Sequence, residues 1–238
     1  MKTELHPANQ RGHANHGWLN TYHNFSFATY FNPAREQFGC LRVFNDDTVA
    51  PGQGFDTHPH NNMEIITIPL EGALEHRDSM GNIQILNPGE VQVMSAGTGL
   101  FHAEYNHSKN EQVKFFQLWI FPRAKGLVPR YDQKRIENYT AENELITLVT
   151  PETLQQKDTL WIHQDAYISK LNLKKGTQFT YTIRIAANGL FVFLIEGNVK
   201  VENSDLKRRD AIAVNDSDHI QLSSVEDSII LFVEVPMK

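Results

Sequence analysis

Two triplets in this 238-residue chain combine residue types and spacing that can do chemistry: His58-Pro59-His60 and His102-Ala103-Glu104. On an extended strand, residues i and i+2 project to the same face, so each triplet offers two donor groups to one point. If the two strands are neighbours, three imidazoles and a carboxylate converge. That set suits an octahedral divalent transition metal with two open positions, such as Fe(II), able to bind a chelating substrate and bring O2 beside it. A structural zinc would be closed by four ligands and rich in cysteine, and the only cysteine is Cys40. The bias extends beyond the triplets: nine of the 11 histidines lie in the first 107 residues.

The elements that must position these residues read as strands. Helical periodicity is scarce, and short, often alternating apolar runs are separated by turn residues. In the first half the runs predict strands at 25–30, 39–45, 63–70, 73–78, 83–86, 91–94 and 113–121. Pro51-Gly52, Glu71-Gly72, Gly81-Asn82 and Asn87-Pro88-Gly89 punctuate them. A charged stretch with two prolines follows, and the pattern resumes at 145–149, 160–163, 167–173, 178–185, 190–195, 199–202, 211–214, 220–222 and 229–235. Many short, evenly spaced strands predict a sandwich or barrel.

The halves echo each other. Ile68 to Glu75 resembles Phe193 to Lys200, each a strand, an acidic-Gly turn and a return strand, and Gly89 to Val93 resembles Arg209 to Ala213. Two echoes in the same order indicate an internal duplication. The expected architecture is all-β with two tandem barrels: a first over 1–122, a connector over 123–143 and a second over 144–238. Counted back from the turn glycines Gly72 and Gly197, the places of His58 and His60 fall on Ile183 and Ile185. Apolar side chains cannot ligate, and the later strand offers only His219 and Gln221, so the second barrel is expected to hold no metal.

Composition limits the partners. Hydrophobic residues are 40%, charged residues 21% and the net charge is −6, with no basic block, which disfavours direct contact with nucleic acid or an anionic membrane. No apolar run approaches the ~20 residues that span a bilayer. The start of the chain lacks a signal-peptide stretch, and a lone cysteine fits a reducing compartment. A cytoplasmic monomer is expected.

The stretch Gly52 to Glu64 with His58, His60 and the later Gly72 looks like a first cupin motif, and Gly89, Gly97, Gly99, His102 and Asn106 look like a second. Arg11 to Leu19, Glu75 to Gly81 and Ser95 to Gly99 before His102 resemble, more specifically, the pirin family. The likeness covers nearly the whole chain. It implies two cupin barrels (double-stranded β-helix, or jelly-roll), with one metal in the N-terminal barrel held by His58, His60, His102 and Glu104. The general cupin pattern would use Glu64. Glu104 is favoured because it shares a face with His102, leaving Glu64 outside the ligand set. The resemblance also implies a metal-dependent quercetin 2,3-dioxygenase-type enzyme, opening a flavonol or related phenolic ring with O2. Its metal is Fe(II), with Mn, Co, Ni, Cu or Zn as alternatives, and Glu104 is its general base. The rival implication, from eukaryotic pirins, is a redox-sensing regulator acting through a protein partner.

The remaining candidates receive plainer readings. His13, His16 and His23 pack as a lid, His76 and His107 lie on the surface, and His163 and His219 are structural. Cys40 is a small core residue, and Phe115, Phe116 and Trp119 fill the barrel. The Ser95 to Gly99 glycines lack the lysine and helix of a phosphate loop.

Overall fold

A computed structural model describes residues 1–154 and 156–238. Among these described residues lie 22 strands, numbered β1 to β22 in chain order. The first barrel pairs a seven-stranded sheet with a four-stranded one. The larger sheet runs β12 (Arg130–Arg135), β9 (Glu90–Ser95), β6 (Glu64–Glu71), β11 (Val113–Ile120), β4 (Leu41–Val49), β3 (Leu19–His23) and β2 (Gly12–Asn15). The smaller runs β5 (Gly54–His60), β10 (Leu100–Asn106), β7 (Leu74–Asp78) and β8 (Ile83–Leu86).

The second barrel repeats this order. Its larger sheet runs β1 (Lys2–His6), β20 (Ala211–Asn215), β17 (Asn188–Glu196), β22 (Ser228–Pro236), β15 (Tyr167–Leu173), β13 (Leu145–Pro151) and β14 (Leu160–Ile162). Its smaller sheet runs β16 (Gln178–Thr182), β21 (His219–Ser224), β18 (Asn198–Val201) and β19 (Ser204–Lys207). The matched turn glycines both have positive φ, 72° at Gly72 and 98° at Gly197. A Cβ would lie 2.6 Å from the Gln112 carbonyl at the first and 2.2 Å from the Ser228 hydroxyl at the second. Only glycine suits both the backbone and the space.

Each barrel lends or borrows an edge. The N-terminal strand β1 pairs with β20, so it completes the second barrel's sheet although it begins the chain. Strand β12 lies within the stretch expected to be a connector, yet it pairs with β9 along six residues and completes the first barrel's sheet. Both exchanges cover a strand edge that would otherwise expose unpaired backbone. The expected strand at 25–30 is instead a turn, closed by the Phe27–Tyr30 bridge and the Ser26 hydroxyl, which donates to the Asn32 carbonyl. The polar segments at 12–15 and 19–23 form strands in its place. They carry little apolar signal because β3 turns Thr21 and His23 inward as well as Leu19.

Strict alternation on strands buried on both faces builds two cores at once. On β11, Phe116, Leu118 and Ile120 face the other barrel, whereas Phe115 packs with Leu19, Val49 and Leu74 inside its own. On β17, Phe191, Phe193 and Ile195 face the junction, and Leu190, Val192 and Leu194 face inward. The two large sheets therefore stack through aromatic contacts, with Phe44 and Phe193 centroids 4.6 Å apart and Phe116 and Phe193 5.3 Å apart. Each such ring removed from water contributes roughly 1.5–3 kcal/mol. Cys40 lies in this core, and burial pushes its thiol up to about 12. Among the described residues the only helical element is the 3-10 turn Ala8–Gln10, and no helix is long and apolar enough to cross a membrane.

Candidate metal site in the first barrel

The interiors of the two barrels differ in polarity at matching positions. In the first, Thr67 pairs with Gln92 and Gln117, and all three side chains are buried. The second has Val192 paired with Ile212 and Phe232 there. A polar group is buried only at a cost unless it is bonded, so the first interior is built around something polar.

Strands β5 and β10 place His58 opposite His102, and His60 opposite Leu100. A bulge follows: Glu104 pairs with Phe55 rather than with the residue two before His58. Gly54 permits the close approach, since a Cβ there would lie 2.2 Å from the Glu104 carbonyl. The three imidazoles His58, His60 and His102 form one cluster, with a ring nitrogen from each within 4.8 Å of the others. His58 Nε2 and His102 Nε2 are 3.0 Å apart. The Asp56 carbonyl accepts from His58 Nδ1 at 2.7 Å, which leaves the Nε2 lone pair directed at the cluster. His60 Nε2 is buried with no hydrogen-bond partner. Burial, and then the neighbouring imidazoles, lower His60 to about 4 and His102 to about 3. Both are neutral at pH 7 and keep a lone pair. Three imidazoles that face one point, two with Nε2 atoms meeting only each other and the third with an unpartnered Nε2, fit a divalent metal.

Glu104 lies inside the barrel, buried, with both oxygens held. Gln117 Nε2 donates to Oε2 at 2.6 Å, and the Thr67 hydroxyl donates to Oε1 at 3.4 Å. Its near neighbours are His102 and His76, with which it forms a second cluster of potential donor atoms within 4.8 Å. His76 was expected on the surface; it is fully buried. Its ring stacks on Tyr131 at 4.5 Å, its Nε2 lies 3.2 Å from Asp78 Oδ2, and its Nδ1 has no partner. The signal that could have found it was the alternation of β7, where Leu74 and His76 share the inward face.

Glu64 is not part of either cluster. Its Oε2 accepts from the Ser95 hydroxyl at 2.7 Å and its Oε1 lies 3.1 Å from His163 Nδ1. His23 is buried, with Nδ1 2.9 Å from Asn45 Oδ1, and its ring connects through Phe27 and Trp119 to His60 at successive centroid distances of 5.2, 5.4 and 4.8 Å. His13 and His16 are exposed, and His13 stacks on Tyr22. His107 is exposed beside Glu75, and His219, expected to be structural, is exposed on β21.

Strand register gives the matching positions in the second barrel. Val199 pairs with Ser224 as Leu74 pairs with Asn106, and Ile220 pairs with Tyr181 as His102 pairs with His58. The places of His58, His60, His102 and Glu104 are therefore taken by Tyr181, Ile183, Ile220 and Leu222. The count from the turn glycines, which gave Ile183 and Ile185, is two residues out. Tyr181, Ile220 and Leu222 are buried in that barrel's apolar core, with Ile183 packed against it.

Residues 4–120 match the family described as Pirin, and residues 148–235 match the quercetinase C-terminal cupin domain. A quercetin 2,3-dioxygenase of Escherichia coli strain K12 is 40% identical over 232 residues, covering 98% of both chains. A pirin-like protein of Caulobacter vibrioides is 38% identical over 228 residues, covering 96% of this chain and 97% of its own. The crystal structure of an Escherichia coli bacterial pirin in complex with nickel(II) superposes with a TM-score of 0.92 at 40% identity, covering 99% of each chain.

Proposed function

Because the chain belongs to the pirin family of two-barrel cupins, we propose that it is a metal-dependent dioxygenase of the quercetin 2,3-dioxygenase type. Its substrates would be a flavonol, or a related phenol, and O2. The observation that carries this reading is the set of three inward-facing imidazoles, two of them held neutral by burial, in the barrel that buries Thr67, Gln92 and Gln117 where the other has Val192, Ile212 and Phe232. The name of the Escherichia coli relative supports the substrate class, and the nickel-bound pirin supports a divalent ion.

In this reading one ion per chain is held by His58, His60, His102 and Glu104. Fe(II) is the first choice, because nitrogen-rich sites with a carboxylate and open positions suit oxygen chemistry; Mn, Co, Ni, Cu and Zn are the alternatives. When bound, the ion supplies Lewis acidity toward the substrate's 3-hydroxyl and redox chemistry toward O2. The chain's own residues orient and move protons. Asp56 fixes the ring of His58 through its carbonyl. Trp119 packs edge-on against His60, and Ile65, Met94, Ala96 and Leu100 form an apolar wall with Met63 and Trp119. The proton leaving the 3-hydroxyl passes to Glu104 Oε1, whose hydrogen bond from Thr67 is long at 3.4 Å, whereas Oε2 is firmly engaged by Gln117 at 2.6 Å.

The test is anaerobic reconstitution with Fe(II), followed by flavonol consumption, O2 uptake and carbon monoxide release on admitting air. All three should rise together. Absence of oxygen-dependent turnover across several flavonols in the iron-loaded protein would overturn the proposal.

A further inference from the structure

Gln117 lies on β11 between Thr67 of β6 and Asn45 of β4, with its side chain inside the first barrel. Its amide is engaged at both ends. The Trp119 indole Nε1 donates to Gln117 Oε1 at 3.0 Å, and Gln117 Nε2 donates to Glu104 Oε2 at 2.6 Å. The order of this string is imposed from one end. An indole N–H can only donate, so the amide oxygen must face Trp119 and the amide nitrogen must face Glu104. Trp119 in turn packs against His60, with ring centroids 4.8 Å apart at 82°. Three side chains thus run from the wall of His60 to the carboxylate two residues beyond His102.

The fold does not require this string. In the second barrel Phe232 pairs with Val192 as Gln117 pairs with Thr67, and Leu222 takes the place of Glu104. All three are buried apolar residues; the buried polar contacts of that barrel gather instead at Glu234, which accepts from the Tyr181 hydroxyl and the Ile185 amide. A buried amide whose orientation is set by a donor-only neighbour, and which spends its own strongest bond on a carboxylate, is an arrangement for controlling that carboxylate.

We propose that Gln117, locked in orientation by Trp119, is a positioning residue that holds Glu104 as a fixed, acceptor-only carboxylate and thereby sets how strongly the three-histidine site takes a divalent metal. The inference rests on Glu104 being a metal ligand. It assigns Oε2 to orientation and leaves Oε1 as the oxygen available for chemistry.

Co(II) binding to the full-length apoprotein tests it, with d–d absorption and competition by a chelator as readouts independent of dioxygenase turnover. Gln117→Met keeps the volume and removes both polar atoms. Its Co(II) affinity should fall on the order of 10–100-fold, as when a partner behind a metal ligand is removed, and its bands should shift. Trp119→Phe keeps a ring beside His60 but frees the amide to turn over; its bands should shift in the same direction with a smaller loss of affinity. If Gln117→Met melts early, Trp119→Phe alone decides. Wild-type affinity and spectrum in the folded variants, while Glu104→Gln is altered, would overturn the positioning role. Wild-type behaviour of Glu104→Gln, while His58→Ala loses Co(II), would overturn it at its premise and leave the histidine site standing. Retention of Co(II) by His58→Ala would count against the site itself.

Discussion

His163 Nδ1 lies 3.1 Å from Glu64 Oε1 across the junction of the two barrels, and both side chains are buried. Glu64 begins β6, four residues after His60, and its other oxygen accepts from Ser95 at the end of β9. The carboxylate that a general cupin pattern would spend on a metal thus ties the strand ends beside the site to the second barrel. Removing one member of a buried, bonded pair leaves the other unsatisfied, at about 3–5 kcal/mol when the pair is ionic. His163→Ala should lower the urea midpoint by a corresponding amount and keep its full metal content. A Glu64→Ala protein that folds but loses metal as completely as His58→Ala would place Glu64 back among the ligands.

Metal content separates the histidines by role. One ion per chain is expected in the wild type. His58→Ala and His102→Ala should each lose most of it, because both nitrogens face the same 3.0 Å gap. His219→Ala should lose none, since His219 is exposed on the second barrel. Two ions per chain, or equal content in all three variants, would contradict the assignment.

Glu104→Gln distinguishes ligation from proton transfer. If ligation dominates, metal and activity fall together. If Oε1 serves mainly as proton acceptor, metal stays and turnover drops on the order of 10²–10⁴-fold, with the residual rate rising with pH as more substrate ionises unaided. Full flavonol turnover with metal intact would remove Glu104 from the mechanism.

Asp47 predicts a pH dependence of stability. It is buried inside the first barrel with Oδ1 unpartnered, and burial pushes its carboxyl up from 3.8 to about 7. A raised folded-state value means the carboxyl imposes no penalty below about pH 4, where both states are protonated. Stability is then lost as pH rises toward about 7, because the unfolded chain ionises first. At roughly 1.4 kcal/mol per pH unit, the full loss is on the order of 4 kcal/mol. Asp47→Asn should therefore gain on the wild type between pH 5 and pH 8 in urea unfolding. Parallel curves at both pH values would refute it.

The two His/Glu triplets, the strand-rich pattern and the duplication were legible in the sequence, because each depends on local spacing or repetition. An i, i+2 pair shares a face on any strand, and a turn glycine with positive φ marks its hairpin wherever the hairpin packs. Other features depended on which strands became neighbours. His76 is polar and flanked by Glu75 and Arg77, so it reads as surface until β7 is laid against β10 and its ring meets Tyr131. Glu104 shares the face of His102, but its partners Gln117 and Thr67 come from β11 and β6, and no count along one strand contains a contact with another. The same limit put the equivalents of His58 and His60 two residues too far along in the second barrel. Strands β1 and β12 belong to sheets that their positions in the chain do not suggest. Sequence by itself determined which donor groups exist and which pairs share a face; only the tertiary structure decided which faces meet, because register and edge pairing are set by contacts between segments far apart in the chain.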